Sequence, residues 1–158
     1  MLARLRERSA ELGDDVARPV EDLARYVRLL DAIDGPGTDR RLAAVSLPGA
    51  AADAATGLGL AVERSGAAGD ELFVAEAAAL RTGLELLLLG LAGEGRDRPV
   101  RLEVVTDRFV TLDAPSDGAD PRRCWELRYG RRVLEGQGCR VRLLGAGDRL
   151  RVEVRAGR

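Results

Sequence analysis

The chain has 158 residues and a mass of 16.9 kDa, room for one domain with a modest appendage, and its 46% hydrophobic residues supply a core that 3% aromatics leave mostly to Leu, Val and Ala. Its 25 basic residues, all Arg, nearly balance 26 acids, and it contains no His, which excludes Ser-His-Asp and Cys-His nucleophiles, imidazole bases and His-containing zinc sites. Residues 1–117 carry 14 Arg against 21 acids (net −7) and residues 118–158 carry 11 against 5 (net +6), so the basic final quarter suits either a nucleic-acid face or a subunit contact.

The N-terminal stretch MLARLRERSAELGDD is charged throughout and lacks the apolar segment of a secretory leader. No run approaches the roughly 18 uninterrupted apolar residues of a membrane span, so a cytoplasmic protein is expected. Leu2, Leu5 and Leu12 predict a short helix ending near Gly13. Val20, Leu23, Val27, Leu30 and Ile33 predict a second, with Pro19 suited to its start and Gly35 to its C-cap. Asp34-Gly35-Pro36-Gly37 then breaks the chain. Residues 1–37 are thus read as an N-terminal helical appendage and 38–158 as the main domain. The appendage would cover a sheet face or pair with a protein partner or a second copy.

From Arg41, LAAVS predicts a strand, LPGAAADAATG a Gly- and Ala-rich connection, LGLAVER a second strand, and residues 71–74 a short third strand after a turn. A long apolar helix follows. Leu80, Leu84, Leu87 and Leu91 share one helical stripe with Glu76, while Arg81 and Glu85 form an i,i+4 pair on the opposite side. An acid on a core stripe needs a partner or a purpose. Residues 100–106 predict a buried strand followed at once by Asp107. Next come a loop, LDAPSDGADP, a helix over residues 121–137 with Trp125, Tyr129 and Val133 in the core, and a strand over 140–144. The terminal LRVEVRAGR alternates like a further strand. Cys124 and Cys139 show no metal-ligand spacing and are expected to be reduced packing residues.

Glu76 in AEAAAL and Asp107 in VVTDRFV, joined by helix and strand, resemble the ribonuclease H-like superfamily. In that family a helix-borne Glu and a Thr-Asp at a strand end supply half of a carboxylate cluster for divalent metal ions. The resemblance covers roughly residues 41–148. It implies an α/β fold with a mixed sheet: three antiparallel strands, a helix, then parallel strands, preceded here by the helical appendage. It also makes Glu76 and Asp107 candidate ligands for Mg²⁺ or Mn²⁺.

The family's first strand carries an Asp. Counting back from Gly57-Leu58-Gly59 puts that position at Ser46, a poor ligand beside a carboxylate. A second register gives Asp53, closer to the resolvase branch, and the choice stays open. Asp148 in GAGDRL is the acid available for the family's last ligand. The resemblance therefore implies an incomplete acidic site, in a non-catalytic module that binds nucleic acid or a protein in nucleic-acid metabolism such as DNA repair. The alternative is a metal-dependent nuclease or resolvase-like phosphodiesterase using Glu76, Asp107, Asp148 and Asp53. Arg128, Arg131 and Arg132, spaced i, i+3, i+4, are the candidate nucleic-acid contacts.

Overall fold

The structure, a computed structural model, describes residues 41–157 except 94, 95, 117 and 119, together with Leu23, Ala24 and Val27. The chain divides into two compact units, Met1–Thr38 and Asp39–Arg158. In the first, Leu23, Ala24 and Val27 are helical. The rest of the helix expected over residues 20–33, and the one over residues 2–12, lie outside the described residues.

The second unit begins with strand β1 (Leu42–Val45) and helix α1 (Leu47–Gly57). The segment read as a connection is therefore helical. Ser46 caps it by accepting the Gly49 N–H at 3.1 Å, and Pro48 sits in the first turn, where no N–H is needed. Leu47, Ala51, Ala54 and Ala55 then recur with helical period and are buried. The helix ends on Gly59 at φ +67°. Its N–H reaches the Thr56 carbonyl and that of Leu60 the Ala55 carbonyl, closing a Schellman motif.

Strands β2 (Val62–Ser65) and β3 (Phe73–Glu76) lead into helix α2 (Ala77–Ala92). Two hairpin strands follow, β4 (Val100–Thr106) and β5 (Phe109–Pro115). A 3-10 turn (Pro121–Arg123) precedes helix α3 (Trp125–Gly136), and the hairpin β6 (Cys139–Ala146) and β7 (Arg149–Ala156) completes the unit.

The main sheet has the order β2-β4-β5-β7-β6, and β1 pairs with β3 in a separate two-stranded sheet. Only β2 and β4 run parallel in the main sheet; its other neighbours are antiparallel. The α/β class with a mixed sheet is thus as expected, but the three-stranded antiparallel opening is absent. β1 and β3 are antiparallel to each other, while β2 joins the sheet through β4.

On β4, β5 and β7 alternate residues are buried under the helices: Val100, Leu102 and Val104 on β4, Val110, Leu112 and Ala114 on β5, Leu150, Val152 and Val154 on β7. The β5 segment from Leu112 to Pro115, read as loop, is strand because Leu112 and Ala114 fill this core while Asp113 faces away. The other face carries charge in rows across the strands. Glu63, Arg101, Asp113 and Arg151 are successive register partners, as are Glu103, Thr111, Glu153 and Arg142. Opposite charges so placed contribute about 0.2–1 kcal/mol per pair.

α2 is the centre of the helical layer, with Leu80, Leu84, Leu86, Leu87, Leu88 and Leu91 almost wholly buried. The side carrying Leu86 is covered by α3, which approaches through glycines. A Cβ on Gly83 would stand 2.7 Å from Leu134 Cγ, one on Gly90 2.7 Å from Leu127 Cγ, and one on Gly130 2.9 Å from the Gly83 carbonyl oxygen. The buried stripe of α3 is Leu127, Gly130 and Leu134, whereas Trp125, Tyr129 and Val133, expected in the core, are half-buried.

Candidate functional site

The four acids singled out from the sequence do not converge. Glu76 ends β3 and occupies the cap position of α2; its backbone N–H donates to Gln137 Oε1 at 2.8 Å. Asp107 lies in the two-residue turn between β4 and β5. Its carboxylate accepts the backbone N–H groups of Gly69 and, at 3.0 Å, of Glu71. Arg108, its neighbour, binds Glu71 through Nε at 2.6 Å and the Gly157 carbonyl at 2.7 Å. Together the two turn residues fasten the β2–β3 connection.

Asp148 is exposed in the turn between β6 and β7, and its backbone carbonyl accepts the Ser116 N–H at 2.6 Å. That turn lies beyond the end of β5, the Asp107 turn before its start. The seven residues of β5, at about 3.3 Å each, hold the two carboxylates roughly 20 Å apart, far beyond the ~4 Å of a two-metal site. Asp53 is exposed on α1, and Ser46 is that helix's cap rather than a strand residue, so neither register supplies a first-strand acid. Among the described residues no three Asp, Glu or Cys side chains come close enough to hold a metal ion. The expected Mg²⁺ or Mn²⁺ cluster is not formed, because the carboxylates stand on separate turns and helix faces.

The arginines divide. On α3, Arg131 is tied to Glu135 at 2.8 Å. Arg128 and Arg132, four residues apart, are exposed and line with Tyr129 a cleft of about 320 Å³. A second concavity, about 270 Å³, lies on the open face of the sheet and is lined by Arg140, Arg142, Glu153 and Arg155. Arg142 stands 3.8 Å from Glu153 Oε2, an oxygen that is buried and accepts no hydrogen bond. Arg155 stacks over the Phe109 ring at 3.9 Å. The sequence signal for this second site is the alternation of Arg with apolar residues in CRVRLL and LRVEVR.

Burial pushes both thiols up, Cys124 to about 11 with the Glu126 carboxylate adding to the effect, and Cys139 to about 11 by burial alone. Both remain protonated at neutral pH, which suits packing rather than nucleophilic chemistry.

No protein-family model and no curated protein sequence matches the chain. Solved structures do. The cytoplasmic segment of histidine kinase QseC superposes with a TM-score of 0.55 at 12% identity, over 86% of this chain and 93% of that one. The Acinetobacter baumannii histidine kinase AdeS gives 0.58 at 7%, over 90% and 80%. The catalytic domain of histidine kinase ThkA gives 0.50 at 10%, over 74% and 97%. The fold is that of histidine kinases. It replaces the ribonuclease H-like reading, and with it the nuclease, nucleic-acid-binding and DNA-repair functions drawn from that resemblance. No helix among the described residues is long and apolar enough to cross a membrane.

Proposed function

We propose that this chain serves in signal transduction as a histidine kinase-like module that does not itself carry or transfer the phosphoryl group. The fold shared with QseC and AdeS is the observation that carries this reading. The 158 residues include no His, so no phosphohistidine can form within them. A partner bearing that residue would supply it. Residues 1–38, a compact unit of their own, are the segment we assign to contact with such a partner or a second copy.

One structure with this fold holds a nucleotide analogue. ShkA, described as full-length in complex with AMPPNP, matches with a TM-score of 0.55 at 15% identity, over 90% of this chain and 37% of that one. Mg²⁺ bound with a nucleotide takes one or two carboxylates and the phosphates. Among the described residues the acids of the helical layer are engaged or dispersed: Glu85 is held by Arg81 at 3.0 Å, Glu135 by Arg131 at 2.8 Å, Glu126 accepts the Cys124 thiol at 3.2 Å, and Asp53 is exposed on α1. The seam between α2 and α3 is filled by Leu127 and Leu134 against glycines. These residues do not fit Mg-nucleotide, and the proposed role needs none.

The test has two arms. Incubation with γ-labelled ATP and Mg²⁺ should leave the chain unlabelled, and millimolar Mg-AMPPNP should leave its Tm unchanged. A ligand at 100 times its Kd would stabilise by about 2.7 kcal/mol, so a rise of several degrees, or label on the chain, overturns the non-phosphotransfer reading. In-cell crosslinking should recover a histidine kinase or its phosphoacceptor. Recovery of nucleic-acid enzymes in their place would remove the signalling role.

A further inference from the structure

We infer that β6 is a docking edge for an acidic extended segment of a partner protein, which adds as a sixth strand with its carboxylates against Arg140 and Arg142. The inference stands independently of the signalling role.

β6 is the outer strand of the main sheet, eight residues long, paired with β7 from Cys139↔Ala156 to Ala146↔Arg149 without a register shift. The opposite edge, β2, has four residues. A long regular edge presents a row of main-chain donors and acceptors to any strand laid beside it. β6 has no Pro to interrupt that row.

Its side chains give the partner's chemistry. Cys139 and Val141 are buried, so Arg140 and Arg142 share the open face and both are exposed. Arg140 has no carboxylate partner among the described residues. Arg142 reaches only 3.8 Å to Glu153, which leaves that oxygen without a hydrogen bond. Arg155, register partner of Arg140, is committed to the Phe109 ring. The concavity beside the edge thus holds three guanidiniums and one carboxylate. A sixth strand would set alternate side chains about 4.5–5.5 Å, Cβ to Cβ, from Arg140 and Arg142. Acids at those positions would form charge-assisted hydrogen bonds. A second copy is disfavoured in the antiparallel register centred on Arg142, where pairing β6 with itself places arginine against arginine, and in any register it supplies no carboxylate from β6 itself.

A fluorescent octapeptide alternating Val and Glu is titrated against the full chain, beside its Val and Lys counterpart and a single-stranded oligonucleotide. The Glu peptide should saturate below 1 mM, weaken with added salt, and slow amide exchange over residues 139–146. The double variant Arg140→Glu, Arg142→Glu should lose at least ten-fold in affinity, while Arg128→Glu, on α3, keeps it. Circular dichroism confirms that both variants fold. Absence of saturation, equal binding of the Lys peptide, or protection elsewhere than β6 overturns the proposal. So does tighter oligonucleotide binding that leaves the β6 amides unprotected, which would make the arginines a phosphate surface.

Discussion

Asp107 does its work through two backbone N–H groups. Its carboxylate gathers Gly69 and Glu71 while Arg108 beside it holds Glu71, the Leu72 carbonyl and Gly157. An acid directly after a buried strand invites a ligand-binding reading, yet the same position is where a hairpin turn can reach a neighbouring connection. Each net hydrogen bond of this kind contributes about 0.5–1.5 kcal/mol. Asp107→Ala should therefore cost about 1–2 kcal/mol and lower Tm by several degrees in a thermal melt. An unchanged Tm would mean that water replaces the carboxylate at no cost. Added Mg²⁺ should not alter the melt of either protein, since among the described residues no three Asp, Glu or Cys side chains come together to hold an ion and the nearby Glu71 is paired with Arg108.

The glycine seam between α2 and α3 sets how closely the two helices approach. Ala has the higher helix propensity by about 1 kcal/mol, so Gly83→Ala would be stabilising on an isolated helix. Here the new methyl would sit 2.7 Å from Leu134 Cγ, and overpacking of that kind costs about 1–3 kcal/mol. Denaturant unfolding should show a net loss of up to about 2 kcal/mol; a gain would mean the seam widens freely. The leucine stripe of α2, the α3 helix and the final hairpin were legible because their periodicities are local. α1 was not, because Ala and Gly content suggested a loop, although the Ser46 cap, Pro48 and the spacing of Leu47, Ala51 and Ala54 spell a helix. β5 was hidden for a longer-range reason. Asp113 looks like a loop residue until Arg149 and Arg151, at 2.5 and 3.5 Å, are seen to receive it from β7. Arg128 and Arg132, singled out by their spacing, line a cleft on α3 with Tyr129, and the pairing of Arg131 with Glu135 is available from i,i+4 spacing.

Order of elements along a chain does not fix which strands neighbour one another, and the ribonuclease H-like reading failed on that point. The order itself also differs: a helix, α1, separates the first two strands, and in strand, helix, strand, strand, helix, strand the first and third strands pair apart while the second pairs with the fourth. The local signals of α1 speak against three consecutive antiparallel strands, but no local residue says which strands pair. The distinction lies in pairings such as Val62 with Val100, whose partners are separated by β3 and the whole of α2. The open, charged face of the resulting sheet is likewise a property of the assembled strands.

That distant partnership also gives the molecule a sequence of opening. β2 is short, exposed along most of its length, and closes a loop of about forty residues for four pairs in parallel register, whereas β5 and β7 share seven pairs at the centre of the sheet. Loop closure must be met before such pairs return any stability. β2 should accordingly detach in a sub-global fluctuation well below the free energy of complete unfolding. In native-state hydrogen exchange its amides should be released early and with little dependence on denaturant, and those of Leu112 and Val152 only with global unfolding. Simultaneous release would make the edge strand part of the same cooperative unit as the centre.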